Sequence, residues 1–188
     1  INLIADSANF NGIKLLDGAL AAEGGSAASS VGKIEGIGTI EIDPTKGSYS
    51  TKNAITASTA AANGDKITAT VSLTDADGKA TKEITVELTA TDFANNKFED
   101  ADGNEYTITN QATTVDALVE AFKKNSDIKA NFNVSNDSNK LKFEAVKEGA
   151  GTMQVSAINV VDTTGGTATT QANGIDKTPG KDAYQTLD

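Results

Sequence analysis

Two copies of one short motif, Asp75-Ala76-Asp77-Gly78 and Asp100-Ala101-Asp102-Gly103, are the most chemically suggestive feature of this sequence. Closely spaced carboxylates ahead of a glycine are the raw material of a calcium loop. An EF-hand loop, however, needs the spacing D-x-[DN]-x-[DN]-G and a bidentate Glu six residues past the glycine. Here the glycine follows the second Asp directly, so one ligand position is missing. Asp and Gly are also what a tight hairpin turn demands sterically. The motif therefore predicts a turn, with an incidental calcium contact as the alternative.

Other chemistry is scarce. The chain has no His and no Cys, so it can assemble neither a nucleophile–base pair built on them nor a Cys-based zinc site. HExxH, GxSxG and phosphate-loop patterns are absent. Acid–base work would fall to carboxylates such as Glu99, Asp100 and Asp102, which sit in polar, turn-like sequence where burial does not raise a pKa. Solvated carboxylates are the plainer reading. No catalytic residue, cofactor or metal site is expected, and the chain does not read as an enzyme. Asn133-Val134-Ser135 and Asn136-Asp137-Ser138 match the N-glycosylation pattern, one that Asn/Ser-rich chains meet by chance. Phe122, Phe132 and Phe143 have the composition of a binding box, but their helix and strand spacing makes them core.

Composition narrows the partners. All 16 basic residues are Lys, and the formal net charge of −10 argues against a nucleic-acid or anionic-membrane partner, either of which needs a basic face. No apolar run approaches the ~20 residues of a membrane-spanning helix. Aromatic residues make up 5% while Thr and Ala dominate, which suits a thin, hydrated β structure better than a deep enzyme core.

These residues must be held by elements the pattern predicts. Ile1, Ile4, Ala5 and Ala8 form one helical stripe, and Asn11-Gly12 stops it with a turn before a short strand, Ile13 to Leu16. A helix of ~10 residues does not stand alone in water, so its partner is expected elsewhere. Residues 19–32 have linker composition, and Ile34, Ile40 and Ile42 predict a strand that ends at Asp43-Pro44. Residues 45–65 read as an edge strand plus a loop. The clearest signal is Ile67, Ala69, Val71, Leu73 and then Ile84, Val86, Leu88, alternating with polar residues across the first Asp/Gly turn: an antiparallel hairpin with one buried face.

The period then changes. Val115, Leu118, Val119 and Phe122 predict a helix, with Thr113 and Asp116 as a capping pair and Lys123-Lys124 complementing its C-terminus. Three alternating runs follow, so residues from about Asn104 to Val161 read as a β-α-β-β-β unit whose helix packs on strands around Tyr106–Ile108, Phe132–Val134 and Leu141–Phe143. The stretch from Asp162 to Lys181 reads as loop, and residues 183–188 as the start of a helix.

The opening residues carry a resemblance. Phe10, Asn11, Gly12, Lys14, Leu15, Leu16, Asp17 and Gly18, preceded by Ile4-Ala5, resemble the segment of bacterial flagellins that closes an N-terminal core helix and enters a hairpin, a pattern close to I-A-x-x-x-x-F-N-G-x-K-L-L-D-G. Ala183-Tyr184-Gln185-Thr186-Leu187-Asp188 is more weakly similar to the start of the returning core helix, and the β-α-β-β segment to a small module of flagellin and hook-associated variable regions. The resemblance implies a secreted, extracellular subunit of the flagellar filament, structural rather than catalytic. It would polymerise with other flagellin subunits through terminal helices this chain lacks.

The expected architecture is mainly β with minor α (α+β), built from antiparallel hairpins and a β-α-β-β unit with short helical segments at both termini. Its divisions are residues 1–18 (core-helix end and hairpin strand), 19–103 (variable β-rich region), 104–162 (β-α-β-β unit) and 163–188 (returning loop). Alone, the chain is expected to be monomeric, with Ile4 and Leu187 close together. A Thr-rich cell-surface adhesin is the alternative reading, though Tyr49, Tyr106 and Tyr184 are scattered for an aromatic platform. A carboxylate-based glycosidase stands third.

Overall fold

A computed structural model describes residues 43–56 and 59–183, together with the backbone of two short strands, β1 (Asn9–Phe10) and β2 (Ile13–Lys14). The expected helix at 1–8, the linker at 19–32, the strand at 34–42 and the terminal helix start lie wholly or almost wholly outside the described residues.

The fold is mainly β, as the alternation predicts. The strands are β3 (Lys46–Thr51), β4 (Lys66–Thr74), β5 (Ala80–Asp92), β6 (Lys97–Glu99), β7 (Glu105–Thr107), β8 (Phe132–Asp137), β9 (Lys140–Glu148), β10 (Gln154–Thr164), β11 (Thr167–Asn173) and β12 (Ile175–Thr178). Two helices, α1 (Gln111–Lys124) and α2 (Ser126–Asn131), separate β7 from β8. A six-stranded antiparallel sheet runs β11-β10-β4-β5-β6-β7, and a four-stranded one runs β12-β3-β9-β8.

The hairpin of β4 and β5 has the register that its period-two pattern requires: Ile67 faces Leu88, Ala69 faces Val86 and Val71 faces Ile84. Ile67, Ala69, Val71, Ile84 and Leu88 are buried on one face. On the other face the polar partners meet, with the Thr70 and Thr85 hydroxyls 3.0 Å apart. Tyr49, Leu141, Phe143, Phe132 and Val134 from the second sheet join these residues in one contiguous core.

Helix α1 packs against β5 and β7 of the six-stranded sheet and β8 and β9 of the four-stranded one. Val115, Leu118, Val119 and Phe122 are buried as expected. The Phe122 ring meets Phe143 edge-on at 5.4 Å, and Phe143 in turn meets Phe132 at 6.1 Å. The helix starts earlier than its apolar stripe suggested. Asn110 is the cap: its Oδ1 accepts from Thr113 N–H at 3.0 Å, and Thr113 Oγ1 accepts from Asn110 N–H at 2.9 Å. Thr113 is thus the third residue of the helix, and Asp116 instead accepts a hydrogen bond from the Asn136 side chain.

Four sequence expectations are corrected. First, the strands expected beneath α1 do not form one sheet. Strand β7 ends the six-stranded sheet, and β10 crosses to pair between β4 and β11, where Ile158 faces Val71 and Val160 faces Ala69. Alternation reveals a buried face but not which strand lies beside it. Second, β3 is interior rather than edge, pairing with both β12 and β9. Third, much of the expected loop at 162–181 is strand: β10 runs to Thr164, and β11 and β12 follow. Those strands are low in apolar residues because they lie at sheet edges, where β11 buries Ala172 and presents most other side chains to solvent. Thr still favours the extended backbone there. Fourth, the run expected to be strand from Ile128 begins in a helix: residues 126–131 form α2, capped by Asn125, whose Oδ1 accepts from Asp127 N–H and Ile128 N–H.

Candidate functional site

The two Asp/Gly motifs fold into turns with the same hydrogen-bond pattern. In the first, Asp75 Oδ1 accepts from Asp77 N–H (3.1 Å) and Lys79 N–H (2.9 Å), and Gly78 N–H donates to Asp75 O at 3.0 Å. In the second, Asp100 Oδ1 accepts from Asp102 N–H (3.0 Å) and Asn104 N–H (2.9 Å), and Gly103 N–H donates to Asp100 O at 3.0 Å. Both glycines stand at φ +80°, the left-handed region a side chain disfavours. The first Asp of each motif thus spends an oxygen on its own backbone and closes the hairpin. Among the described residues, no group of three or more His, Cys, Asp or Glu side chains converges as metal ligands.

The second turn carries more than the first. Asp100 is largely buried, and its Oδ2 accepts from Tyr106 Oη at 2.7 Å and from Lys124 Nζ at 3.3 Å. Lys124 Nζ also donates to Tyr106 Oη at 2.6 Å and lies over the Tyr106 ring, 4.8 Å from its centroid. Burial alone would raise the Asp100 carboxyl, but hydrogen bonds from Tyr106, Asn104 and Lys124 together hold it well below the usual carboxylate range. Burial lowers the Lys124 ammonium less than its bonds to Tyr106 and Asp100 raise it. Burial, with the nearby Asp100 charge, raises the Tyr106 phenol.

Each group is therefore fixed in its ordinary charge state at neutral pH. The cluster ties the β6–β7 turn to the last turn of α1. Beside it runs an open groove of about 360 Å³ between the 100–102 turn and the end of α1, floored by β5. An ionised, fully bonded Asp100 is a poor proton donor at neutral pH. Glu99 and Asp102 do not join it in a carboxylate pair.

A second constellation lies near the two ends of the described stretch 43–183. Thr45 N–H donates to Lys181 O at 2.9 Å, and Lys181 N–H donates to Thr45 O at 3.2 Å, an isolated antiparallel bridge. Thr45 O also accepts from Gly149 N–H at 3.1 Å, and Asp182 Oδ1 accepts from Ala150 N–H at 2.8 Å. Gly180 packs so closely that a Cβ there would stand 2.3 Å from Gly149 O. The turn from β9 to β10 thereby staples both connecting segments together.

The other sequence candidates fall as follows. In the flagellin-like motif, Phe10 and Lys14 lie in β1 and β2, with Asn9 facing Lys14 and Phe10 facing Ile13, an antiparallel pair around Asn11-Gly12. Asn11, Gly12, Leu15, Leu16, Asp17 and Gly18 are outside the described residues. Phe122, Phe132 and Phe143 are core. Tyr49 is fully buried, Tyr106 lies beneath Lys124, and Tyr184 falls outside the described residues. Asn133 is exposed on β8, while Asn136 is partly buried and held by Asp116. Sequence reading missed the Thr45–Lys181 bridge and the Asp100–Tyr106–Lys124 cluster. Both rest on a few polar contacts between different elements, which leave no periodic trace.

Among the described residues, no helix is long and apolar enough to cross a membrane. Compared with protein-family models, with curated proteins and with solved structures, the chain matches none.

Proposed function

We propose that this chain is the outward-facing variable region of a bacterial flagellin, a structural part of the flagellar filament exported to the cell exterior. The observation that carries this reading is the bridge between Thr45 and Lys181. A body whose incoming and outgoing segments are stapled side by side has the geometry of an insert carried on a pair of neighbouring elements. The pattern at Phe10-Asn11-Gly12 to Gly18, with Phe10 paired to Ile13, supports a chain that leaves a helical rod by a hairpin before reaching that insert.

The physical character of the body suits the role. Its net charge of −10 and polar outer strands oppose adhesion between neighbouring copies. Its short β7 edge, only three residues long, limits sheet-to-sheet pairing. Assembly then belongs to terminal helices, and partners are other copies of the subunit.

The test uses the absence of cysteine from these 188 residues, with the unsubstituted protein as the labelling control. Thr170, exposed on β11, is changed to Cys, and intact cells carrying the full-length protein are treated with a membrane-impermeant fluorescent maleimide. The reading predicts label along the whole length of each filament. Label confined to the cell body, or none despite normal expression, would count against it.

A further inference from the structure

Two Asn-Gly pairs occur among the described residues, Asn63-Gly64 and Asn173-Gly174, and the fold treats them oppositely. The Asn63 carboxamide is engaged, because its Oδ1 accepts from Phe93 N–H at 2.9 Å. Gly64 N–H is engaged as well, donating to Ala90 O at 2.8 Å. At the other pair the Asn173 side chain is exposed at the end of β11, and no described residue hydrogen-bonds its amide. Gly174 is held through its carbonyl, which accepts from Lys52 N–H at 3.2 Å, and its N–H donates to no described acceptor. The nearest atoms that a side chain at 174 would meet are on the Lys52 stem at 3.8 Å, so the approach to the peptide is open.

We propose that Asn173-Gly174 is a self-modification site, converting to aspartate and isoaspartate through a cyclic imide while Asn63-Gly64 is protected. The Gly174 backbone nitrogen attacks Asn173 Cγ, and a C–N bond forms. The carboxamide C–N bond breaks and ammonia leaves, taking up the proton released by the Gly174 nitrogen. Water then opens the five-membered imide at either carbonyl. One opening yields aspartate at 173; the other yields the isomer whose main chain runs through Cβ. The balance is one amide and one water in, one acid and one ammonia out, with no oxidant or reductant.

The position gives the change a structural consequence. Asn173 faces Asn159 in the six-stranded sheet and Ile175 faces Thr51 in the four-stranded one, with Gly174 alone between them. The isomer inserts an extra backbone carbon into this one-residue link and places a new negative charge beside the Lys52 stem. The inference does not depend on the filament reading.

Peptide mapping by mass spectrometry tests it, using the intact folded protein incubated at neutral pH and a parallel sample in denaturant. In the folded protein, conversion at Asn173 is expected to run roughly tenfold or more faster than at Asn63, which must first open locally to react. In denaturant the two rates are expected to converge. Asn173→Gln in the folded protein should remove the fast conversion and leave the slow one. Equal rates at the two sites in the folded protein, or no conversion at Asn173 while the denatured chain converts there, would overturn the proposal.

Discussion

Thr45 and Lys181, 136 residues apart, exchange both backbone hydrogen bonds of an antiparallel bridge. The described strands and helices between them share one contiguous core, and the bridge holds residues 45 and 181 side by side. Gly149, Ala150, Gly180 and Asp182 reinforce this junction.

Gly180→Ala should open that junction. A Cβ at 180 would stand 2.3 Å from Gly149 O and 2.8 Å from Thr45 O, both backbone atoms that cannot swing aside. Overpacking of this kind typically costs about 1–3 kcal/mol. Thermal melts should show the loss, and amide exchange at Thr45 and Lys181 should quicken more than in β4. Unchanged exchange at both amides would mean that the close approach relaxes without disturbing the bridge.

Phe122→Ala should destabilise both sheets together. The ring is fully buried, packs edge-on against Phe143, and belongs to the same core as Ile67 and Leu88. Truncating a buried Phe typically costs about 3–5 kcal/mol. Melts followed by one probe in β4–β5 and another in β8–β9 should shift in step. A transition confined to β8–β9 would show two independently folding halves.

The β4–β5 hairpin and the α1 stripe were legible in the sequence because each shows several apolar residues at one period, and period follows directly from backbone geometry. Strand neighbours were not. Ile158 and Val160 alternate as clearly as Leu141 and Phe143, yet β10 and β9 lie in different sheets. Strands β11 and β12 were hidden because edge strands facing solvent lack the apolar signal, and Thr-rich sequence resembles loop. The Asp100 and Asp75 turns look alike in sequence, but only Asp100 meets Tyr106 and Lys124, which depends on where α1 ends.

Tyr49→Phe should leave stability unchanged or raise it by about 1 kcal/mol. The Tyr49 hydroxyl is buried with no partner among the described residues, and burial raises its pKa. The ring itself packs edge-on against Phe132 at 6.2 Å, a contact Phe retains. Chemical denaturation of the two proteins compares them. A clear loss in the variant would reveal a partner for the hydroxyl.

Acid should weaken the Asp100 cluster. Its folded-state pKa lies below the unfolded value, so its contribution is full above the ordinary carboxylate range and falls as pH drops through that range and below it. Asp100→Asn should cost about 1.5–3 kcal/mol at neutral pH, the worth of hydrogen bonds to a charged group. The gap between wild type and variant should narrow at low pH. A gap that stays constant from neutral pH into strong acid would show that the carboxylate charge is not what the cluster uses.

In the proposed role, residues 45–181 form an insert that projects from a filament and takes no part in holding it together. Electron microscopy of filaments from cells producing the full-length subunit with residues 45–181 replaced by a short Gly/Ser linker tests this most directly. An insert of this kind leaves filaments of normal length and helical symmetry but smaller outer diameter. Filaments of unchanged diameter, or subunits that are exported yet fail to polymerise, would contradict it.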